Sequence, residues 1–157
     1  IFSTRSATPY LLTEGGKKIF GEGYEFQPGK DEIVREGKDG YLVSYGEMTY
    51  RCLDAVIQMR SRGIELGLIN KPTLNVVDEE MLAKVGKSPF VMVVESQNSK
   101  TGLGIRFGTW LLERGLHPRY AYLGTSKIGQ GGIDEQLPHQ GLDVQNIVKK
   151  ILTSSVS

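Results

Sequence analysis

Four short apolar runs, each followed by a turn and then a helical pattern, organise the sequence. Residues 41–43 lead through Gly46 into a stripe of apolar residues at helical spacing over 47–62, and the same order recurs after 64–69, 90–94 and 120–123. Nearly continuous apolar strands that alternate with helices are typical of parallel sheets covered on both faces. The pattern therefore predicts an α/β fold.

The predicted helices have recognisable ends. Gly63 stands where a helix carboxyl terminus favours glycine, while Asp78 and Asp143 are placed to cap a short helix and the terminal helix. We expect a further helix over about 102–114, preceded by a polar loop at 96–101. The terminal helix places apolar residues at i, i+3, i+4 and i+7, so one of its faces must pack against another surface.

Residues 1–37 differ in composition from the rest of the chain. Their frequent glycines and prolines interrupt any long helix. Yet five of the thirteen aromatic residues (seven Tyr, five Phe and one Trp) fall in the first 26 positions, more than a solvated tether carries. We expect 1–37 to be an arm or linker that lies on a surface, either of its own domain or of a neighbouring one. The five are Phe2, Tyr10, Phe20, Tyr24 and Phe26.

Length and charge limit the classes of function. The 157 residues suffice for one domain and are few for two, and 19 basic against 18 acidic side chains give a net charge of +1. We therefore expect neither a nucleic acid nor a membrane as partner. No apolar run approaches the roughly 18–20 residues that span a bilayer, and the first residues lack the layout of a signal peptide, so we expect a cytoplasmic protein. Because the chain begins with Ile1 rather than Met, we expect it to be an engineered segment, a processed product or a piece of something longer.

Candidate catalytic and metal-binding groups are few. The two histidines, His117 and His139, have no evident partners, which argues against a catalytic triad. The single cysteine, Cys52, lies in an apolar helical stripe and is predicted to be a buried small hydrophobe. The acidic run 78–80 is typical of a helix cap and first turn. The sequence thus predicts no catalytic residue and no metal site.

The glycine-rich segment 102–108 admits two interpretations. It opens with a GxG, but its third glycine is one position late for a dinucleotide-binding fingerprint. Free backbone N–H groups at a helix start near Thr101 could hold a small anion, such as a phosphate or carboxylate. The alternative is that these glycines allow a helix to pack closely.

Six collinear segments carry a resemblance to a known family. GKDGYLVSYGEM, LDAVIQM, RGIELGLIN, TLNVVDEEML, VMVVESQNSKTGLG and GLDVQNIVKKIL together resemble the C-terminal domain of the transketolase-like thiamine diphosphate enzymes over about residues 37–153. That group includes transketolase, deoxyxylulose-phosphate synthase and the beta subunits of 2-oxo acid dehydrogenases. The resemblance implies a three-layer α/β/α domain with a mostly parallel five-stranded sheet and one antiparallel edge strand.

The resemblance also implies a role for each part of the chain. It makes 1–37 a linker from a preceding pyrimidine-binding domain and 38–157 a non-catalytic domain for dimerisation and assembly. The parent enzyme would transfer two-carbon ketol units with thiamine diphosphate and Mg²⁺, held by domains outside these residues, so that this part binds no cofactor. The implied partners are the preceding domain and a second subunit, either another copy of the parent or a partner chain.

Residues at the carboxyl ends of the strands are the candidate ligand or interface positions, because open α/β sheets present their sites at that edge. Two other classes of function stay open. The chain could be a free-standing α/β regulatory protein that binds a small anion at the Thr101 helix start, or a complete small enzyme that uses Asp78 or Glu95. The candidate positions are Gly46, Glu47, Met48, Ser96, Thr101, Gly102 and Gly104.

Overall fold

Strands and helices alternate from residue 41 to residue 125. The computed structural model describes residues 9–13, 15–129 and 133–155. The elements are β1 (Glu32–Arg35), β2 (Tyr41–Ser44), α1 (Met48–Arg60), β3 (Gly67–Asn70), α2 (Glu79–Gly86), β4 (Phe90–Asn98), α3 (Leu103–Glu113), β5 (Arg119–Thr125), α4 (Ile133–Gln140) and α5 (Val144–Ser155).

The strands form one five-stranded sheet in the order β1-β3-β2-β4-β5. Strand β2 pairs in parallel with β3 on one side and with β4 on the other, and β5 adds in parallel beyond β4. Strand β1 is antiparallel to β3 at the opposite edge. The predicted mostly parallel sheet with one antiparallel edge strand is therefore confirmed.

Two separate cores lie on the two faces of this sheet. Because successive residues of a strand point to opposite faces, Leu42 enters one core and Val43 the other, and both are fully buried. The Leu42 core is closed by α1, α4 and α5, and the Val43 core by α2 and α3. This makes three layers, with Cys52 buried in the first core as predicted. Its burial raises the pKa of the Cys52 thiol to about 12.

The helix ends follow the predicted capping residues. The Asp78 carboxylate accepts a hydrogen bond from the backbone N–H of Met81 at 3.3 Å. The Asp143 carboxylate accepts from the N–H groups of Gln145 and Asn146 at 3.0 and 3.1 Å. Gly63, just after α1, has φ +79°. None of the helices in the described part of the chain is both long and apolar enough to cross a membrane.

The end of β4 differs from the sequence-based expectation. Strand β4 continues through Asn98, which pairs with Thr125 of β5 after a register shift, so the predicted polar loop at 96–101 is wrong for its first half. Polar side chains are compatible with a strand there because Gln97 and Asn98 are exposed. The antiparallel strand β1 lies within the segment 1–37. Of that segment, 1–8 (with Phe2) and 14 lie outside the described residues.

Candidate functional site

The carboxylate of Glu95 belongs to the carboxyl-terminal half of β4 and caps α3. One oxygen accepts from the N–H of Gly104 and the other from the N–H of Leu103, both at 2.8 Å. The Tyr45 hydroxyl donates to the second oxygen at 3.0 Å. Glu95 is fully buried, and its negative charge lies at the positive end of the helix dipole. A strand side chain therefore fills the place where a helix start would otherwise hold an external anion.

Gly102 is fitted to this carboxylate. A Cβ atom at Gly102 would lie 2.3 Å from each Glu95 oxygen, so the carboxylate would have to move. Glycine lets the chain pass the carboxylate while the next two N–H groups bond to it. The anion that the sequence suggested for the Thr101 helix start is thus supplied from inside the fold at Leu103 and Gly104.

The same helix explains the glycine spacing of the segment 102–108. A Cβ at Gly104 would lie 2.8 Å from the Cβ of Tyr122, and a Cβ at Gly108 would lie 2.8 Å from the ring of Tyr120. The Tyr120 hydroxyl donates to the Gly104 carbonyl at 2.5 Å. Close packing of α3 against β5, one of the two interpretations of these glycines, accounts for both positions.

A cleft of about 220 Å³ opens beside the Glu95 carboxylate, between the ends of β2 and β4 and the start of α3. Burial raises the pKa of the Tyr45 hydroxyl well above its ordinary value, and the adjacent Glu95 charge adds to the shift, so the hydroxyl keeps the proton that it donates to Glu95. Arg106 on α3 is an exposed cation at the rim. The cleft is lined by Tyr45, Leu74, Glu95, Gln97, Asn98, Thr101, Gly102, Leu103 and Arg106.

The predicted edge positions separate into two groups. Thr101 and Gly102 line the cleft, whereas the remaining five do not. Met48 is fully buried in the Leu42 core, and Gly104 packs on Tyr122. Gly46, with φ +58°, makes the turn that joins β2 to α1. Glu47 stands at the N-cap position of α1 without a side-chain cap, and Ser96 lies within β4.

A second buried cluster at the same edge joins the segment before β1 to the loop after β3. The Lys71 ammonium donates to the two Asp31 carboxylate oxygens at 2.9 and 3.3 Å and to the Val76 carbonyl at 2.8 Å. The Lys71 and Asp31 side chains are only 1% and 2% exposed. Burial raises the pKa of Asp31 to about 6, against the opposing effect of Lys71. Sequence reasoning missed this pair, because 40 positions separate the two residues and neither lies in a motif.

Asp78 links that cluster to α2. In addition to capping the helix at Met81, its carboxylate accepts from the N–H of Asp31 at 3.0 Å and lies 3.6 Å from the Lys30 ammonium. Burial opposes ionisation of Asp78, but the N–H groups of Asp31 and Met81 and the Lys30 charge hold its pKa below the ordinary value. The Asp78 carboxylate is therefore engaged through both of its oxygens, which is typical of a structural group.

Comparison with known proteins agrees with this architecture. Residues 29–147 match the family model described as transketolase, C-terminal domain. One subunit of the apulose-4-phosphate transketolase of Actinobacillus succinogenes is 29% identical over 150 residues, which are 92% of this chain and 48% of that protein. The 1-deoxy-D-xylulose-5-phosphate synthase of Desulfitobacterium hafniense is 33% identical over 141 residues, 85% of this chain and 22% of that protein.

A solved structure shows the same fold. It is described as a split gene transketolase, inactive beta4 tetramer, and it superposes with a TM-score of 0.81 at 24% identity over 88% of this chain and 46% of that one. The chain spans about half the length of the first of these curated relatives and about a fifth of the second.

The topology and its helix-capping carboxylate define an α/β domain whose carboxyl edge is occupied by structural contacts. With the family model covering most of its length, the chain belongs to the transketolase C-terminal domain family.

Proposed function

We propose that this chain is the non-catalytic assembly domain of a transketolase-like enzyme that transfers two-carbon ketol units with thiamine diphosphate. In this proposal, 38–157 form the domain, and 1–37 connect it to a pyrimidine-binding domain or subunit while contributing β1 to the sheet. The domain packs against that neighbour and against a second subunit. The names of the relatives support this proposal, since they include a subunit of a transketolase and a deoxyxylulose-phosphate synthase.

Glu95 is the observation that carries the non-catalytic part of the proposal. It is the acidic side chain at the sheet edge where α/β domains place their chemistry, and it lines the cleft. Three donors occupy its oxygens, and it is fully buried. A general base needs a lone pair within reach of a substrate proton, and the buried Glu95 carboxylate is already engaged by three donors. Its occupied oxygens favour a structural role over the alternative of a complete small enzyme.

Thiamine diphosphate and Mg²⁺, which the family resemblance implies for the parent, do not fit the described residues. Among those residues, no three His, Cys, Asp or Glu side chains form a set that could hold a metal ion. The N–H groups at the start of α3, the natural donors for a diphosphate, already bind Glu95. We therefore assign no step of the cofactor's chemistry to these residues.

Reconstitution tests the proposal. The 157-residue chain is titrated with thiamine diphosphate and Mg²⁺ in a calorimeter, and then mixed with the companion polypeptide that carries the remaining transketolase domains. We expect no saturable heat with the cofactor, a complex with the companion in size-exclusion chromatography, and ketol transfer only in the mixture. Cofactor binding or turnover by the chain alone, or failure to associate with any such companion, would contradict the proposal.

A further inference from the structure

The segment before β1 is attached to the domain mainly by polar contacts. Of the described residues from 9 to 30, only Leu11 is buried, and an isolated bridge between Leu12 and Lys18 is the strand pairing among them. We call this part of the chain, residues 9–13 and 15–31, the strap. With so little apolar surface buried, separating the strap from the sheet costs little hydrophobic free energy.

Polar contacts between described residues hold the carboxyl end of the strap to the edge of the sheet. The Gly29 N–H donates to the Thr73 hydroxyl at 3.0 Å, and the Asp31 N–H donates to the Asp78 carboxylate at 3.0 Å. The Lys30 ammonium is half exposed and lies 3.6 Å from Asp78 and 3.9 Å from Glu80. The contact between Lys71 and Asp31 differs from these because both charged groups are almost completely buried.

Lys71 is the centre of this attachment. Its three N–H donors are taken up by the two Asp31 oxygens and the Val76 carbonyl, and its ammonium lies 5.4 Å from the centre of the Trp110 ring on α3. One ammonium thus connects the strap, the loop after β3 and the helix α3. Removing Lys71 would leave the Asp31 carboxylate buried without a cation, so the loss of this ammonium is the change that costs most.

We propose that the strap detaches from the sheet as one unit, and that the buried pair of Lys71 and Asp31 is the fastening that keeps it closed. Closed, the strap fixes the direction in which preceding polypeptide reaches the carboxyl edge of the sheet. Open, it uncovers the loop after β3 and the groove of about 510 Å³ between residues 9–13 and α1. The consequence for domain orientation rests on the proposed function, whereas the opening itself is a property of this chain.

Native-state hydrogen exchange of the unmodified chain tests whether the strap opens as one unit. The Gly29 and Asp31 amides, which bond to side chains, are followed by NMR together with the Val93 amide in β4, at increasing low concentrations of denaturant. We expect Gly29 and Asp31 to share one opening equilibrium with a shallow denaturant dependence, and Val93 to show a steep one. Equal slopes for all three amides, or no protection at Gly29 and Asp31, would overturn the proposal.

Variants test whether the buried pair of Lys71 and Asp31 keeps the strap closed. Lys71→Met is expected to raise the opening equilibrium constant of the strap at least about tenfold while Val93 exchange stays unchanged, because the Asp31 carboxylate is then buried without its cation. Asp31→Asn removes the buried carboxylate and should open the strap less than Lys71→Met does. The double variant should open less than the product of the single effects, because neither buried charge is then left alone. Lys84→Met, which removes the exposed 2.5 Å ion pair with Glu36, is the matched control and should change strap opening less than about twofold.

The proposal fails if Lys71→Met opens the strap no more than Lys84→Met does, or if the single effects multiply independently. It also fails if the variants raise Val93 exchange as much as strap exchange, since the pair then supports the whole fold. These measurements use the chain without a companion, so their failure is distinguishable from a failure of reconstitution.

Discussion

The Glu95 carboxylate and Gly102 fit against each other so closely that a methyl group at Gly102 would lie 2.3 Å from both carboxylate oxygens. The contact is reciprocal. Glycine leaves room for the carboxylate, and the carboxylate receives the N–H groups of Leu103 and Gly104 at 2.8 Å. Because this buried charge is balanced by donors from the helix it caps, the start of α3 depends on a residue eight positions earlier in the chain.

Gly102→Ala is expected to displace the Glu95 carboxylate and to lower the free energy of unfolding by about 2–4 kcal/mol, because buried charge-assisted hydrogen bonds are lost. Urea unfolding followed by circular dichroism measures this. Gly15→Ala is the control, since a Cβ there would meet nothing closer than 3.9 Å. A Gly102→Ala chain as stable as the Gly15→Ala chain would refute the assignment of Gly102 to the carboxylate.

The two aspartate caps should differ in their contribution to stability. Asp143→Ala removes the cap of α5 and should cost about 1 kcal/mol. Asp78→Ala also leaves the part-buried N–H of Asp31 without its acceptor and should cost about 2–3 kcal/mol. Thermal unfolding of the two variants compares them directly. If Asp143→Ala proves the more damaging change, the role given to Asp78 in holding the strap is wrong.

Asp31 should make stability depend on pH in an unusual direction. Its pKa rises from 3.8 to about 6 on folding, so the folded state binds its proton more tightly than the unfolded state does. The contribution of Asp31 to stability therefore increases as the pH falls through about 6 toward 4, by about 3 kcal/mol in total. The measurement is the free energy of unfolding from about pH 7.5 to about pH 4, for the unmodified chain and for Asp31→Asn, whose difference isolates this group.

Glu36 should make stability depend on pH with the opposite sign, and Glu36→Gln, which removes its charge, provides the comparison. The hydrogen bond from Lys84, together with that from Tyr41, lowers the pKa of Glu36. Its contribution is therefore present above its unfolded pKa and is lost as the pH falls through the lower folded value. A difference between the unmodified chain and Asp31→Asn that stays constant across the same pH range would contradict the raised pKa of Asp31.

Cys52 should be inert in the folded protein. It is fully buried, and burial raises its thiol pKa to about 12, so almost no thiolate exists near neutral pH. We expect a thiol-specific disulfide reagent at about pH 8 to react with native protein at least about a hundredfold more slowly than with protein unfolded in urea. Equal rates in the two states would show that the Leu42 core admits the reagent to Cys52.

The sequence predicted the parts of the fold that depend on local patterns. Residues 41–43 and 90–94 are continuously apolar, and Asp78 and Asp143 stand directly before helices, so strands and caps were visible without coordinates. The end of β4 was missed because its last residues are polar and pair with β5 only after a register shift. A strand of that kind is defined by its neighbour rather than by its own hydrophobicity.

The candidate site was less predictable than the fold. Thr101 and Gly102 were found from the helix start that they precede, but the ligand of that start, Glu95, was identified only as a candidate acid. The Lys71 and Asp31 pair has no local signal at all, because a buried ion pair between distant positions depends on how the chain returns to the sheet edge. Met48 was expected at the carboxyl edge of the sheet, yet its side chain points into the Leu42 core because it occupies the first turn of an amphipathic helix.

Ketol transfer measured with the chain alone and with its companion polypeptide tests the central claim most directly. We expect no transfer by the 157 residues in the presence of thiamine diphosphate and Mg²⁺, and transfer that appears when the companion is added. Transfer by the isolated chain would contradict the assignment of a non-catalytic assembly domain.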